Sequence, residues 1–123
     1  MCYEETVHDF KQLKVWKLGR DVARKSYSVV EAFPASQRFG LTSQIQRSAA
    51  SIPSNIAEGS GRSSNKDFAR FLSIAYGSAC ELETHLILAN DLGYLSTGDL
   101  DSLSSDVDRV RRMVFALRRT VSQ

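Results

Sequence analysis

The residues of this chain best suited to chemistry lie in the stretch ELETH, where Glu81 and Glu83 precede His85. Glu81 and His85 are one helical turn apart, the spacing that an acid–base pair beside a substrate cleft would need. A di-iron bundle site instead takes glutamates together with Glu-x-x-His pairs, and ELETH has the wrong offset for such a pair. No substrate-binding motif accompanies these residues, so we predict no catalytic residue, no metal site and no cofactor.

A structural polar network is the favoured interpretation of the same residues. Polar side chains recur along one line of the second predicted helix and one line of the third, and an antiparallel turn near Arg62 makes the two lines face each other. We predict an ion pair or a bridged contact between Arg47 and Glu81, and a loss of roughly 3 kcal/mol for Arg47→Ala, because a buried charge without its partner is costly. His8 and His85 are assigned to the surface and to the network. The predicted network consists of Gln44, Arg47, Glu58, Ser78 and Glu81.

Arginines are dense near the end of the chain, where five fall within eleven residues. One interpretation is a solvated helix end in which Asp108 pairs with Arg112 one turn later. The other is contact with nucleic-acid phosphates, because the planar guanidinium fork matches phosphate oxygens and a basic stripe on the first helix would add to the field. The predicted nucleic-acid-binding residues are Arg109, Arg111, Arg112, Arg118, Arg119, Lys14, Lys17, Arg20 and Arg24.

A Gly-Ser-Gly triplet at residues 59–61 precedes the third predicted helix. Such a turn can hold a phosphate at a helix N-terminus, but the Walker lysine pattern and the preceding strand are missing. We interpret the triplet as the end of the second helix, since glycine adopts the left-handed conformation after a helix at no steric cost.

The second predicted helix organises the elements that position these side chains. Its apolar residues recur every three or four positions, and small side chains at residues 48–51 let another helix approach closely. Pro53 lacks an N–H and crowds the carbonyl of Ala49, which predicts a kink or a local break near Ile52. The predicted fold is all-α, an antiparallel up-down-up-down four-helix bundle whose second helix is kinked near Pro53.

The other elements follow from caps and breakers. The first helix is predicted over about residues 15–33, because Pro34 pushes the preceding residue out of the helical region. The third begins after capping candidates at residues 63–65 and ends at Gly93, and the fourth begins near Thr97 or Asp99. Residues 1–9 are predicted to be a flexible lead-in, and residues 10–123 a single bundle domain.

The composition is that of an ordinary globular protein, with 123 residues, 42% hydrophobic and 24% charged. Its net charge of +2 would not by itself indicate a nucleic-acid-binding protein. The first ten residues lack the apolar segment of a signal peptide, and no apolar run approaches the ~20 residues of a membrane span. Two cysteines predict no disulfide framework, so we expect a cytoplasmic protein.

The stretch SIPSNIAEGSGR, with LTSQIQRSA before it and FLSIAYGSACELETHLILANDLGYL after it, resembles the bacterial four helix bundle protein family. That family is named for intervening sequences in the large-subunit ribosomal RNA gene, and it is similar to the accessory protein of diversity-generating retroelements. The likeness runs from about Phe10 to Leu117. It implies a four-helix fold, a homo-oligomer in the form of a pentameric ring, and no catalytic activity. The retroelement relatives further imply RNA or DNA and a reverse transcriptase as partners.

Apolar residues off the main helical seams support association independently of this likeness. One small bundle cannot readily cover apolar side chains on every side of its third helix. The predicted oligomer interface consists of Tyr76, Ile87, Met113 and Phe115. Two functional hypotheses follow: a self-assembling bundle that binds nucleic acid or a nucleic-acid enzyme through its basic faces, or a purely structural or protein-interaction oligomer.

Overall fold

A computed structural model describes residues 9–122 of the chain. The α-helices are α1 (Lys14–Val30), α2 (Leu41–Ser60), α3 (Asn65–Asp91) and α4 (Thr97–Ser122), with short 3₁₀ turns at Phe10–Gln12 and Ala35–Gln37. Residues 9–122 form no strand, so the predicted all-α class is confirmed. The lead-in predicted for residues 1–9, including Cys2 and His8, lies almost wholly outside the described residues.

Each helix packs against two neighbours and thereby closes a four-helix bundle. α1 contacts α2 and α4, and α3 contacts the same two helices from the opposite side. Short connections make consecutive helices antiparallel, which is the predicted up-down-up-down order. The core is a cluster of apolar side chains from all four helices, and its largest fully buried members include Phe68, Ile45, Ile52, Leu82 and Val110.

Local side-chain chemistry sets several of the helix ends. The Ser64 hydroxyl accepts a hydrogen bond from the Asp67 backbone N–H at 3.1 Å, and the Ser96 hydroxyl accepts one from Asp99 at the same distance. Gly93, with φ of 82°, occupies the left-handed position after α3, as predicted. α1 ends at Val30, earlier than predicted, because residues 31–33 continue in tighter hydrogen bonds to the third preceding carbonyl.

The end of α2 differs from its sequence-based interpretation. Gly61 has φ of −86°, and Gly93 is the one residue with positive φ among those described, so no left-handed glycine ends α2. Gly59 instead permits close packing. A Cβ built on Gly59 would lie 2.7 Å from the Cβ of Phe71 and 3.0 Å from Cδ1 of Phe68. Within the triplet, Gly59 therefore provides a close contact between α2 and α3 and not a left-handed turn.

α2 continues without interruption through Pro53. The predicted local break is therefore absent, although the proline still cannot donate a hydrogen bond to the Ala49 carbonyl. α1 crosses α2 at this point: a Cβ on Gly19 would lie 3.7 Å from the Pro53 nitrogen and 3.2 Å from Cγ2 of Ile52. This close crossing supports the helix across its missing hydrogen bond, and the kink itself stays a prediction.

Candidate nucleic-acid interface

Two arginines of the predicted nucleic-acid-binding set pair with carboxylates of α3 and α4. Arg111 of α4 donates hydrogen bonds to Glu83 of α3 and to Asp108, and Arg112 donates to Asp108. The side chains of Arg111 and Glu83 are only 19% and 23% exposed, so this pair joins α3 to α4 in a partly dry environment. These contacts favour the structural interpretation for Arg111 over the phosphate interpretation.

The pKa values of this cluster agree with that role. Hydrogen bonds from Arg112 and then from Arg111 hold the pKa of Asp108 below its ordinary value. Burial acts to lower the pKa of Arg111, but its contacts with Glu83 and Asp108 outweigh burial and leave that pKa raised. Asp108 and Arg111 therefore stay ionised and paired at neutral pH.

Two further members of the set have acidic neighbours on their own helices. Arg24 donates to Asp21 at 3.1 Å, and Arg109 lies 3.9 Å from Asp106. Both pairs are formed by exposed arginines one turn from their partners, so each is weak. Asp106 also accepts a hydrogen bond from Lys25 of α1 at 2.7 Å, a contact over 81 residues that the sequence did not suggest.

The remaining five residues of the set form no ion pair with a carboxylate within residues 9–122. Arg20 lies over the ring of Trp16 at 5.8 Å, and Arg119 lies over Phe115 at 6.0 Å. The others form no ion pair with a described residue. The five unpaired cations are Lys14, Lys17, Arg20, Arg118 and Arg119.

The register of the helices places these five at one end of the bundle. Gly19 of α1 lies against Ile52 of α2, so earlier residues of α1 lie beside later residues of α2. The Lys25–Asp106 hydrogen bond fixes the antiparallel register of α1 and α4, so the start of α1 lies beside the end of α4. The beginning of α1, the α2–α3 turn and the end of α4 therefore meet at the same end.

Charge is strongly unequal between the two halves defined by this register. The basic half, residues 9–20, 50–74 and 112–122, holds ten Lys and Arg against three Asp and Glu. The acidic half, residues 21–49 and 75–111, holds six Lys and Arg against nine Asp and Glu. A net charge near zero for the whole chain thus conceals a bundle with one strongly positive end.

Four cations of the basic half were missed from the sequence, namely Lys11 before α1 and three more at the α2–α3 end. Arg62, Lys66 and Arg70, the tip cations, lie at or just after the α2–α3 turn. Arg62 donates to Glu58 at 2.8 Å, and Arg70 lies 3.9 Å from Asp67. They form no run in the sequence. Only the helix register brings them to the same end of the bundle as the start of α1 and the end of α4.

Within residues 9–122, no side-chain hydrogen bond or ion pair joins any two of the five predicted network residues. Arg47 and Glu81 line one cleft of about 310 Å³ with Gln44, Ser48 and Ser51. Both charged side chains are exposed and no ion pair joins them in the described part of the chain. The buried pair that underlay the loss of 3 kcal/mol is therefore a wrong prediction, and Arg47→Ala should cost less than about 1 kcal/mol.

Other polar contacts lie on and between α2 and α3. The hydroxyls of Ser51 and Ser78 are 2.7 Å apart, and Asn55 donates to Ser51 at 2.9 Å. Glu81 lies 3.4 Å from His85, whose buried Nδ1 has no hydrogen-bond partner within residues 9–122. Glu58 bonds with Arg62 and not with the network. Among these contacts only the Ser51–Ser78 pair crosses from α2 to α3, so this polar link between the two helices is a hydroxyl pair and not an ion pair.

The predicted oligomer-interface residues lie on two sides of α4. Tyr76 and Phe115 are exposed and line one cleft of about 290 Å³ between α3 and α4, and Ile87 is exposed farther along α3. Met113 is half-buried against the core, two turns after Asp106, on the side of α4 that faces α1. Three of the four residues therefore share the α3–α4 surface, and Met113 does not belong with them.

Other types of site find no support among residues 9–122. No group of three or more His, Cys, Asp or Glu in this range is arranged to hold a metal ion. Cys80 is a free, exposed thiol. No helix of the described range has a stretch both long and apolar enough to cross a membrane.

Comparison with known proteins gives the family. The sequence model of the 23S rRNA-intervening sequence protein family matches residues 11–116. The chain belongs to this family. Among solved structures, this member of the intervening sequence protein family is similar to a protein of unknown function from the S23 ribosomal protein family of Bacteroides thetaiotaomicron. The TM-score is 0.77 at 25% sequence identity, with 85% of this chain and 97% of the other covered. No curated protein sequence matches the chain.

The family match confirms the resemblance found in the motif and extends over most of the bundle. For this intervening sequence protein it provides a fold and a relationship but no activity, and the similar structure is itself described as having unknown function. Neither comparison gives evidence of catalysis. The chemical character of the surface is therefore the remaining guide to function.

Proposed function

We propose that this protein is a non-enzymatic, self-assembling four-helix bundle that binds nucleic acid through its basic half. The observation that carries the proposal is the separation of charge along the bundle, ten Lys and Arg against three Asp and Glu at one end. A positive end of this density attracts polyanions, and phosphate backbones are the most abundant rigid polyanions in cells.

The cations without carboxylate partners are directly available to phosphate. Lys14 and Lys17 of α1 and Arg118 of α4 have no ion pair within the described range, so they contact phosphate without first giving up a protein partner. Arg111 does not take part, because its side chain is only 19% exposed and its guanidinium group is already bonded to both Glu83 and Asp108. Residues 9–122 present no row of exposed aromatic rings for stacking bases, so binding has little sequence preference.

A salt titration tests this function. Fluorescence anisotropy of labelled RNA and DNA oligonucleotides should show binding at about 50 mM salt that weakens steeply as salt rises, since each phosphate contact on a duplex contributes a slope of roughly −0.9. Replacing Lys14, Lys17, Arg118 and Arg119 together by Gln should flatten the slope. The control is Arg38→Gln with Arg47→Gln, which removes two exposed cations from the acidic half and should change the slope far less. Absence of wild-type binding to either nucleic acid at 50 mM salt would reject the proposal.

A homo-oligomer without a nucleic-acid role is the second candidate. Tyr76, Ile87 and Phe115 form an apolar surface along α3 and α4. In a monomer this surface would be exposed to water. A cyclic assembly, which the resemblance implies is a pentamer, repeats one such contact around a ring. A reverse transcriptase stays a prediction as a partner, because no contact among the described residues bears on it.

Light scattering coupled to size-exclusion chromatography tests the assembly. Tyr76→Asp with Phe115→Asp should dissociate the oligomer, whereas Phe39→Asp should not, although Phe39 is 89% exposed on the α1–α2 connection. A wild-type monomer at micromolar concentration would contradict self-assembly. An intact oligomer that retains no nucleic acid would favour the second candidate.

A further inference from the structure

We infer that Arg62 and Arg70, braced on the ring of Phe71, form the principal phosphate-contacting pair of this protein, an inference that rests on the proposed function. The guanidinium carbon of Arg62 lies 4.7 Å from the centre of the Phe71 ring, and that of Arg70 lies 4.6 Å from it. The two guanidinium groups are therefore less than about 10 Å apart although they belong to residues on different elements.

The ring that holds them is itself fixed in place. Phe71 is only 7% exposed, and its Cβ lies so close to Gly59 that no side chain would fit between α2 and α3 at this point. Because Phe71 is buried and its Cβ is packed closely against Gly59, the two arginines have an apolar support that is fixed on α3. Cation–π contact of this kind orients a guanidinium without neutralising it.

Each arginine also has one carboxylate neighbour and keeps donors for a ligand. Arg62 donates to Glu58 at 2.8 Å, and Arg70 lies 3.9 Å from Asp67. A guanidinium has five N–H donors, so one carboxylate leaves most of them available. The two arginine side chains are 41% and 59% exposed, in contrast to 19% for Arg111.

This pair suits a phosphodiester backbone better than a single anion. One strand of a duplex carries one phosphate for every 3.4 Å or so of helix axis, so two guanidinium groups less than about 10 Å apart reach phosphates of the same strand. The side chains are ordered before binding, which reduces the entropy lost on contact. Lys66 lies on the first turn of α3, between Arg62 and Arg70 in sequence, and forms no ion pair with a described residue.

The decisive experiment compares charge-matched double variants by anisotropy on single-stranded RNA, single-stranded DNA and duplex DNA. Arg62→Gln with Arg70→Gln should weaken binding roughly ten- to a hundredfold at about 0.1 M salt and reduce the duplex salt slope by about 1.8, the effect of two lost phosphate contacts. Arg38→Gln with Arg47→Gln removes the same charge from the acidic half and should change affinity by less than about threefold, because distant charges are screened. The RNA and DNA arms identify which backbone is preferred.

A conservative variant separates placement from charge. Arg62→Lys with Arg70→Lys keeps both charges but loses the planar group that stacks on Phe71. The salt slope should therefore return to the wild-type value, while the affinity stays below that of wild type. Urea unfolding of every variant verifies the fold. This inference is overturned if Arg62→Gln with Arg70→Gln binds as well as Arg38→Gln with Arg47→Gln, and only the variant at Lys14, Lys17, Arg118 and Arg119 loses affinity. That result would leave the proposed function standing. No binding by wild type overturns both.

Discussion

Replacing Gly59 by alanine tests the close approach of α2 and α3 on which the end of the bundle depends. The added methyl group would lie 2.7 Å from Cβ of Phe71 and 3.0 Å from Cδ1 of Phe68. Phe71 Cβ is attached directly to the α3 backbone and cannot swing aside, so one helix must shift. Adding a methyl group to a close-packed site costs roughly 1–3 kcal/mol, and the shorter contact places Gly59→Ala in the upper part of that range.

An opposing gain must be subtracted from this cost. Gly59 lies within a helix at negative φ, where alanine is favoured over glycine by about 1 kcal/mol. We therefore expect a net loss of roughly 1–2 kcal/mol in the free energy of unfolding for Gly59→Ala. Gly77 of α3 is the matched control, since a Cβ there meets nothing within 4 Å. Gly77→Ala should stabilise the protein by about 0.5–1 kcal/mol through the helix term alone.

Urea unfolding measures both values at one fixed protein concentration, because assembly would add its own stabilisation. The change in the free energy of unfolding for Gly19→Ala should lie between these two values, since its Cβ would lie 3.2 Å from the movable Cγ2 of Ile52. Equal stabilisation by Gly59→Ala and Gly77→Ala would refute the reasoning, because it would mean that α2 and α3 are not in close contact at Phe71.

Three further predictions concern the α3–α4 ion pairs and the end of α3. Arg111→Ala should cost roughly 1–3 kcal/mol in urea unfolding, because it leaves the partly buried Glu83 unpaired. Replacing the exposed Arg112 by Ala should cost less than about 1 kcal/mol. Equal losses for the two variants would contradict the structural role of Arg111. Asp108 has a lowered pKa, so its contribution is present above its ordinary pKa of 3.8 and is lost as pH falls through the folded value. Asp108→Asn should therefore flatten the fall in stability below about pH 4, and an unchanged acid limb would count against the pairing. Gly93→Ala should cost about 1–2 kcal/mol, since φ is 82° there, and a neutral result would mean that the turn adopts another conformation.

Local patterns in the sequence determined the helices and most of their ends. Leu103, Val107, Val110 and Val114 of α4 recur every three or four positions in the sequence and are all buried. Ser64 caps α3 and Gly93 follows it in the left-handed conformation, because both roles depend on backbone geometry within a few residues. Periodicity and capping act over one or two turns, so one sequence is enough to read them.

The same reasoning failed where a side chain serves two helices. Gly59 was assigned to a turn and is instead a contact site for Phe71. Spacing along one helix gives the direction of a side chain but not the distance to the next helix. That distance depends on how the side chains of both helices interlock.

The candidate site depended most on the tertiary structure. The sequence identified the arginines of α4 as a dense group, yet only the fold pairs Arg111 with Glu83, 28 residues away, and removes it from the surface. The two charged halves are each assembled from separate ranges of the chain, and Arg62 and Arg70 gain their shared support only from the ring of Phe71. The sequence determined which charges exist and which helix carries each, while the antiparallel register of four helices determined which charges meet, because electrostatic interactions depend on distance in space and not on separation along the chain.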